Sequence, residues 1–145
     1  MIGLIQRVSQ ARVEVDTQTV AQIDRGILAL IGVEKQDNSK TAERLIQKII
    51  HYRIFPDGNG KMNQSLQDIA GELLLVPQFT LAADTRKGAR PSFSSAAAPE
   101  TGQRLFLQLV DLALESHGCV QTGIFGANMQ VTLTNDGPVT FWLQV

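Results

Sequence analysis

Gly26-Ile27-Leu28-Ala29-Leu30-Ile31-Gly32-Val33 decides how this chain must fold. It is an uninterrupted apolar run opened by glycine, too short for a helix of ordinary length, and so it reads as a strand covered on both faces. A strand of that kind needs a layer on each side. The nearest supplier follows at once: from Ser39, taken as the N-cap, Ala42, Leu45, Ile46, Ile49 and Ile50 recur at helical spacing while Lys40, Arg44 and Lys48 occupy another face. Upstream, Val8, Val13, Val15 and the stretch Thr17 to Ile23 read as short strands joined by tight turns. Downstream, Tyr52 to Phe55 reads as a strand, ended by the turn chemistry of Pro56-Asp57-Gly58-Asn59-Gly60.

Gly71 to Val76 is a second buried-strand candidate, which delivers Gln78 and Phe79 to its C-terminal end. Ala82 to Ser95 is polar, basic and rich in small residues, a loop long enough to suggest a function. Pro99 suits the first turn of a helix whose apolar face is Leu105, Phe106, Leu109, Val110 and Ala113, ended by Gly118. Cys119 to Ile124, Asn128 to Thr134 and Val139 to Val145 complete the pattern as strands, the last two joined by a turn at Asn135-Asp136-Gly137-Pro138. The expectation is an α/β chain of the α+β type, with mostly antiparallel sheet and two main amphipathic helices.

The chain has 145 residues, fitting one domain over residues 1–145 that can bury ~68–70% of its unfolded surface. Its formal net charge of −1 argues against holding long nucleic acid by phosphate neutralisation, while leaving room for a local RNA contact. Cys119 is the only cysteine, so a disulfide framework is not expected, and the compartment is read as cytoplasmic. The apolar opening reaches Gln6 and Arg7 too soon for a signal sequence, and no run approaches a membrane span.

Hydrolytic chemistry is conspicuous for what is missing. His51 and His117 each fall at the C-terminal end of an expected helix, where an imidazolium suits the dipole, and no serine or metal ligand pairs with either. No Cys/His spacing matches a zinc site, and neither a Gly-x-Ser-x-Gly elbow nor a phosphate-cradling glycine loop occurs. No metal and no cofactor are expected. Thr80 has a hydroxyl that could attack a carbonyl, but no base is visible beside it, and a positioning role suits it better. Gln78-Phe79-Thr80 at a strand end is by itself ordinary, and Gly137-Pro138 by itself reads as chain reversal. Phe125 and Met129 bracket Gly126-Ala127-Asn128 and serve equally well as core packing or as an apolar slot for a flat adenine. Arg86, Lys87 and Arg90 cluster positive charge that could steer an RNA end, whereas Lys40, Arg44 and Lys48 suit a solvated helix face.

Taken together, Pro77-Gln78-Phe79-Thr80-Leu81 and Asn135-Asp136-Gly137-Pro138-Val139-Thr140 resemble the paired signature of the D-aminoacyl-tRNA deacylases. The likeness extends from Gln6-Arg7-Val8 to Thr122-Gly123-Ile124-Phe125-Gly126-Ala127-Asn128-Met129, essentially the whole chain. It implies a barrel-like sheet, a homodimer, and hydrolysis of the ester of D-aminoacyl-tRNA, with glycyl-tRNA mischarged on tRNA-Ala also cleaved. It further implies a cis Gly137-Pro138 pair that reaches into the other subunit's pocket and rejects L-side chains, with Arg7 holding that loop. Catalysis would be assisted by the ribose 2′-hydroxyl of the tRNA, Phe79 and Thr80 offering backbone N–H groups. One departure is plain: the family's motif usually begins with serine, where this chain has Pro77 and so lacks a hydroxyl and an N–H. Two other readings compete, a non-catalytic nucleic-acid-binding dimer and a hydrolase that uses Thr80 as nucleophile.

Overall fold

Alternation of apolar and polar residues over Ile2–Val15 produces one long strand, β1, in a computed structural model that describes residues 1–145. The short strands expected here are therefore a single element of 14 residues. It turns back through Asp16 and Thr17, at φ of 48° and 67°, into β2 (Gln18–Ile23). Two successive left-handed residues give the hairpin turn whose twist matches its flanking strands. β3 (Gly26–Gly32) continues along the same edge of β1, with Val8 opposite Gly26 and Ile2 opposite Gly32. Along the other edge runs β8 (Gln130–Gln144).

On the far side of β3 lies β6 (Glu72–Pro77), parallel to it, and then β7 (Val120–Thr122), parallel to β6. Each parallel step needs a crossover, supplied by α1 (Ser39–His51) and α2 (Pro99–Ser116). The β3–β6 approach is so close that a Cβ on Gly26 would lie 1.8 Å from the Glu72 carbonyl oxygen, which restricts that position to glycine. A small ribbon of β4 (Phe55–Pro56) and β5 (Met62–Gln64) stands apart from the main sheet. The sheet is mixed but mostly antiparallel. It curls into a nearly closed, barrel-like form, and side chains stitch β2 to the strands beyond β3: Gln22 N–H donates to Gln121 Oε1 (2.8 Å) and Asp24 N–H to Glu72 Oε2 (2.6 Å).

The apolar run at β3 is buried on both faces, as its sequence requires. Ile27, Ala29 and Ile31, with Leu73 and Leu75 of β6, face the helices and pack on Leu45, Ile46, Ile49, Leu105, Phe106 and Leu109. Leu28, Leu74 and Val76 face the inside of the curl with Val8, Val13 and Ile23. Each such aliphatic side chain contributes roughly 1.5–3 kcal/mol by leaving water.

Three further sequence expectations give way to the structure. The N-cap of α1 is Asn38 rather than Ser39: its side chain accepts from Lys40 N–H (2.9 Å) and Thr41 N–H (3.4 Å), and Asn38 N–H donates to Thr41 Oγ1 (2.9 Å). Only Phe55–Pro56 of the stretch from Tyr52 becomes strand, because β4 pairs with nothing except the short β5. The third correction bears on function. Asn128–Thr134 and Val139–Val145 are not the arms of a hairpin, since both halves of β8 pair with β1 in the same antiparallel sense. From Gln6 opposite Thr140 to Val8 opposite Asn135, β1 advances two residues while β8 advances five. The extra residues bulge outward, so Asn135-Asp136-Gly137-Pro138 projects from a continuing strand instead of reversing the chain.

Candidate functional site

The C-terminal end of β6 is where the sheet opens. Pro77, which cannot donate to a ladder, is the last strand residue, and Gln78 N–H makes a final bond to Ile31 O (2.7 Å) before Phe79–Ala82 winds into a 3₁₀ turn. The first internal bond of that region is Leu81 N–H to Gln78 O (3.2 Å). The N–H groups of Phe79 and Thr80 therefore stand at the start of the turn, where a helix leaves donors unpaired. Gln78 donates its side-chain amide to Thr80 Oγ1, which fixes the two polar side chains against each other. No imidazole approaches Thr80: His51 contacts Gln47 O (2.9 Å) and His117 contacts Gly71 O (2.6 Å), each at a helix end.

Behind this turn lies an apolar cavity of about 250 Å³, lined by Pro77, Gln78, Phe79, the first turns of α2 at Pro99 and Gly102, and Phe125. Phe125 is held against buried Phe106, ring centroids 6.3 Å apart, so its ring is a wall of the cavity and also packs against the core. Met129 does not line this cavity. Its sulfur accepts from Ile124 N–H (3.4 Å) and its side chain packs on the cluster inside the curl. Of the two residues expected to form a slot, the structure brings only Phe125 to the cavity.

Gly137 and Pro138 lie elsewhere, exposed at the bulge of β8, joined by a cis peptide bond. The bulge is tied down from two directions. Arg7, whose side chain is only 12% exposed, donates Nε to Asp136 O (2.8 Å) and Nη1 to Ile54 O (2.6 Å) and lies 3.4 Å from Asp136 Oδ2. Asn135 spans the base, its Oδ1 accepting from Val139 N–H (2.6 Å) and its Nδ2 donating to Thr140 Oγ1 (2.9 Å). Gly137 sits at φ of 148°, and a Cβ there would meet Val139 Cγ2 at 2.6 Å. From the bulge to Gln78 the sheet must be crossed from β8 through β1 and β3 to β6 and followed along β3 from Gly26 to Ile31, a path of roughly 30 Å at ordinary strand spacings. One protomer thus carries the two motifs at separate places.

The basic loop is only partly free. Arg86 is clasped by Asp84 through Nε (2.9 Å) and Nη2 (2.7 Å), and Arg86 N–H donates to the same carboxylate (3.0 Å). These bonds hold the Asp84 carboxyl far below the usual carboxylate range. Lys87 and Arg90 are exposed and make no ion pair. No group of three or more His, Cys, Asp or Glu side chains converges as a metal set, and no helix is long and apolar enough to cross a membrane. Sequence reasoning quoted Asn135 within its motif without giving it a role, and it missed Asp84. An Asx residue just ahead of Asp-Gly-Pro, and another two residues before Arg86, are the local hydrogen-bonding signals that mark both.

With this geometry in hand, the comparisons are specific. A family model described as D-Tyr-tRNA(Tyr) deacylase matches residues 4–144. A D-aminoacyl-tRNA deacylase of Teredinibacter turnerae is 62% identical over 141 residues, 97% of each chain. Another, of Alkalilimnicola ehrlichii, is 61% identical over 144 residues, 99% of this chain and 96% of its own. Among solved structures, one titled c-Myc DNA Unwinding Element Binding Protein superposes with a TM-score of 0.96 at 35% identity, covering 100% of this chain and 99% of its own. A probable eukaryotic D-amino acid tRNA deacylase superposes at 0.86 over 99% of this chain and 98% of its own, and at 18% identity it shows the fold alone.

Proposed function

Because the chain belongs to the D-Tyr-tRNA(Tyr) deacylase family, and is thus an ester hydrolase acting on D-aminoacyl-tRNA, we propose that its cavity binds the 3′-terminal adenosine and that a second copy completes the site. The observation that carries this is an apolar cavity lined by Gln78 and Phe79, at the start of the turn whose first N–H groups a helix leaves unpaired, with no imidazole near Thr80. Adenine enters against Phe125. The ester carbonyl then lies at the Phe79–Thr80 turn, whose N–H groups stabilise the oxyanion as it forms. Each donor of that kind is worth about 2.7–4 kcal/mol where it has been removed in other enzymes. Gln78 holds the Thr80 hydroxyl.

Water is the nucleophile, oriented by the ribose 2′-hydroxyl of the substrate. It adds to the carbonyl carbon, the bond to the ribose 3′-oxygen breaks, and that oxygen leaves protonated, giving free D-amino acid and tRNA. Chirality is read by the Gly137-Pro138 bulge of the second copy, pressed over the cavity so that its carbonyl oxygens occupy the space an L-side chain needs. Glycine has no side chain to reject, so glycyl-tRNA, including that mischarged on tRNA-Ala, is also cleaved. Arg7 keeps the bulge in place, and Lys87, with what remains of the charge of Arg86, draws in the acceptor end. Neither metal nor cofactor enters the scheme.

A second reading, a nucleic-acid-binding dimer without turnover, is favoured by one finding, the 35% identity to the protein titled c-Myc DNA Unwinding Element Binding Protein. Single-turnover deacylation separates the readings. With D-aminoacyl-tRNA, Thr80→Ala should retain most of the rate, and replacing the terminal ribose 2′-hydroxyl by hydrogen should depress it strongly. Loss of activity in a folded Thr80→Ala protein, with the deoxy substrate reacting normally, makes Thr80 the nucleophile. Binding without acceleration of hydrolysis supports the second reading.

A further inference from the structure

The bulge of β8 reaches out between two fixed points, Asn135 and Thr140, the residues on either side of it that still pair with β1. Residues 136–139 have no partner on β1, so the ladder does not set the planes of their peptides. Two side chains do so instead. Arg7 Nε donates to Asp136 O (2.8 Å) and fixes the peptide that leads into Gly137. Asn135 Oδ1 accepts from Val139 N–H (2.6 Å) and fixes the peptide that leaves Pro138.

The second of these bonds has a direction. A backbone N–H can only donate, so the carboxamide atom that faces it is the oxygen, and the amide is left to donate to Thr140 Oγ1 (2.9 Å). Gln6, opposite Thr140 on β1, reaches the same hydroxyl at 3.5 Å. The carboxamide is thus held across the neck of the bulge and cannot turn over without losing both bonds. In a planar trans peptide the N–H and the C=O point in opposite directions. The Pro138–Val139 peptide is trans and its N–H is turned inward to the neck, so the Pro138 carbonyl faces outward, away from its own protomer. The far end of that peptide is anchored as well, because Val139 is buried in the main core.

We infer that Asn135 is a specificity-determining positioning residue, which aims the Pro138 carbonyl at the space an L-side chain would need. This rests on the reading that the bulge of a second copy selects chirality. Arg7 and Asn135 then have different tasks. Arg7 ties the bulge to the body of the protein, and Asn135 sets the direction of one carbonyl within it. Without the carboxamide the bulge stays tethered while the Pro138–Val139 peptide turns, and its oxygen leaves the place where the L-side chain is refused. Damage to the fold alone would slow the cleavage of both esters, whereas the loss of this bond admits one that was excluded.

The test is single-turnover hydrolysis, with enzyme in excess, of D- and L-aminoacyl-tRNA that bear the same side chain on the same tRNA. Asn135→Ala should lift decay of the L-ester above the buffer rate and lower the D:L ratio about tenfold, the size of one neutral hydrogen bond. Asn135→Asp, isosteric and still able to accept from Val139 N–H, should keep the selection. Thr140→Val removes the acceptor that orients the amide and should move the ratio the same way by less; it carries the test if Asn135→Ala does not fold. Wild-type selection in a folded Asn135→Ala protein, or in Thr140→Val where that variant carries the test, overturns the inference and leaves the deacylase reading intact. So does an equal fall on both esters, a changed solution mass, or the same loss of selection in Asn135→Asp as in Asn135→Ala, any of which would make Asn135 a residue of the fold or of the subunit contact. A wild-type protein that cleaves both esters equally overturns the underlying reading of the bulge and this inference with it.

Discussion

Arg7 is the residue on which the second motif depends most directly. Its guanidinium reaches two carbonyls on separate segments, Asp136 on the bulge of β8 and Ile54 ahead of β4, and almost no water competes for it. Hydrogen bonds from a charged donor contribute about 1.5–3 kcal/mol. Arg7→Ala should lower unfolding stability by that order in a denaturant titration, and D-ester hydrolysis should fall further than stability alone explains because the bulge loses its tether. Lysine should not restore it, having a point charge where a planar fork is needed. At this scale the sequence was legible only in part. Gln78, Phe79, Gly137 and Pro138 stood out through their motifs, but the tie of Arg7 to Asp136 and Ile54 joins residues far apart in the chain, and no local pattern encodes it. Met129 shows the limit from the other side: its place next to Phe125 in sequence does not bring it to the cavity, because Ile124 N–H and the inner cluster hold its sulfur and side chain.

Among the elements, those with strong periodicity were readable and those decided by pairing were not. The five apolar positions expected to face inward on α1 are its five buried residues, because a helix fixes its own spacing. β3 was readable for the same reason, its run of apolar residues having no solvent face to satisfy. The bulge in β8 escaped notice because Asn-Asp-Gly-Pro has the composition of a turn, and only the register against β1 shows that the chain goes straight on. The cap of α1 was misplaced by one residue, since Asn38 and Ser39 are both good caps and the reciprocal bond with Thr41 decides between them. Asn38→Ala should cost about 1 kcal/mol, a fall in Tm of roughly 2–4 °C for a chain of this size. Ser39→Ala should cost clearly less, and paired thermal melts will show which residue is the cap.

For the whole molecule, the separation of the two motifs on one protomer is the fact that shapes the account. The Gln78–Thr80 turn and the Gly137-Pro138 bulge are anchored to different strands of a rigid sheet, so no side-chain movement brings them together. A second copy can do so, and a two-fold pairing would supply two equivalent sites. Sedimentation equilibrium should accordingly give twice the chain mass at assay concentrations. A monomer with full chiral selectivity would require another source of selection. The most direct measurement is hydrolysis of matched D- and L-aminoacyl-tRNAs, bearing the same side chain on the same tRNA, by the purified wild-type protein. The D-ester should be cleaved at a rate proportional to enzyme while the L-ester decays no faster than in buffer; equal cleavage of both, or no acceleration of either, would contradict the account.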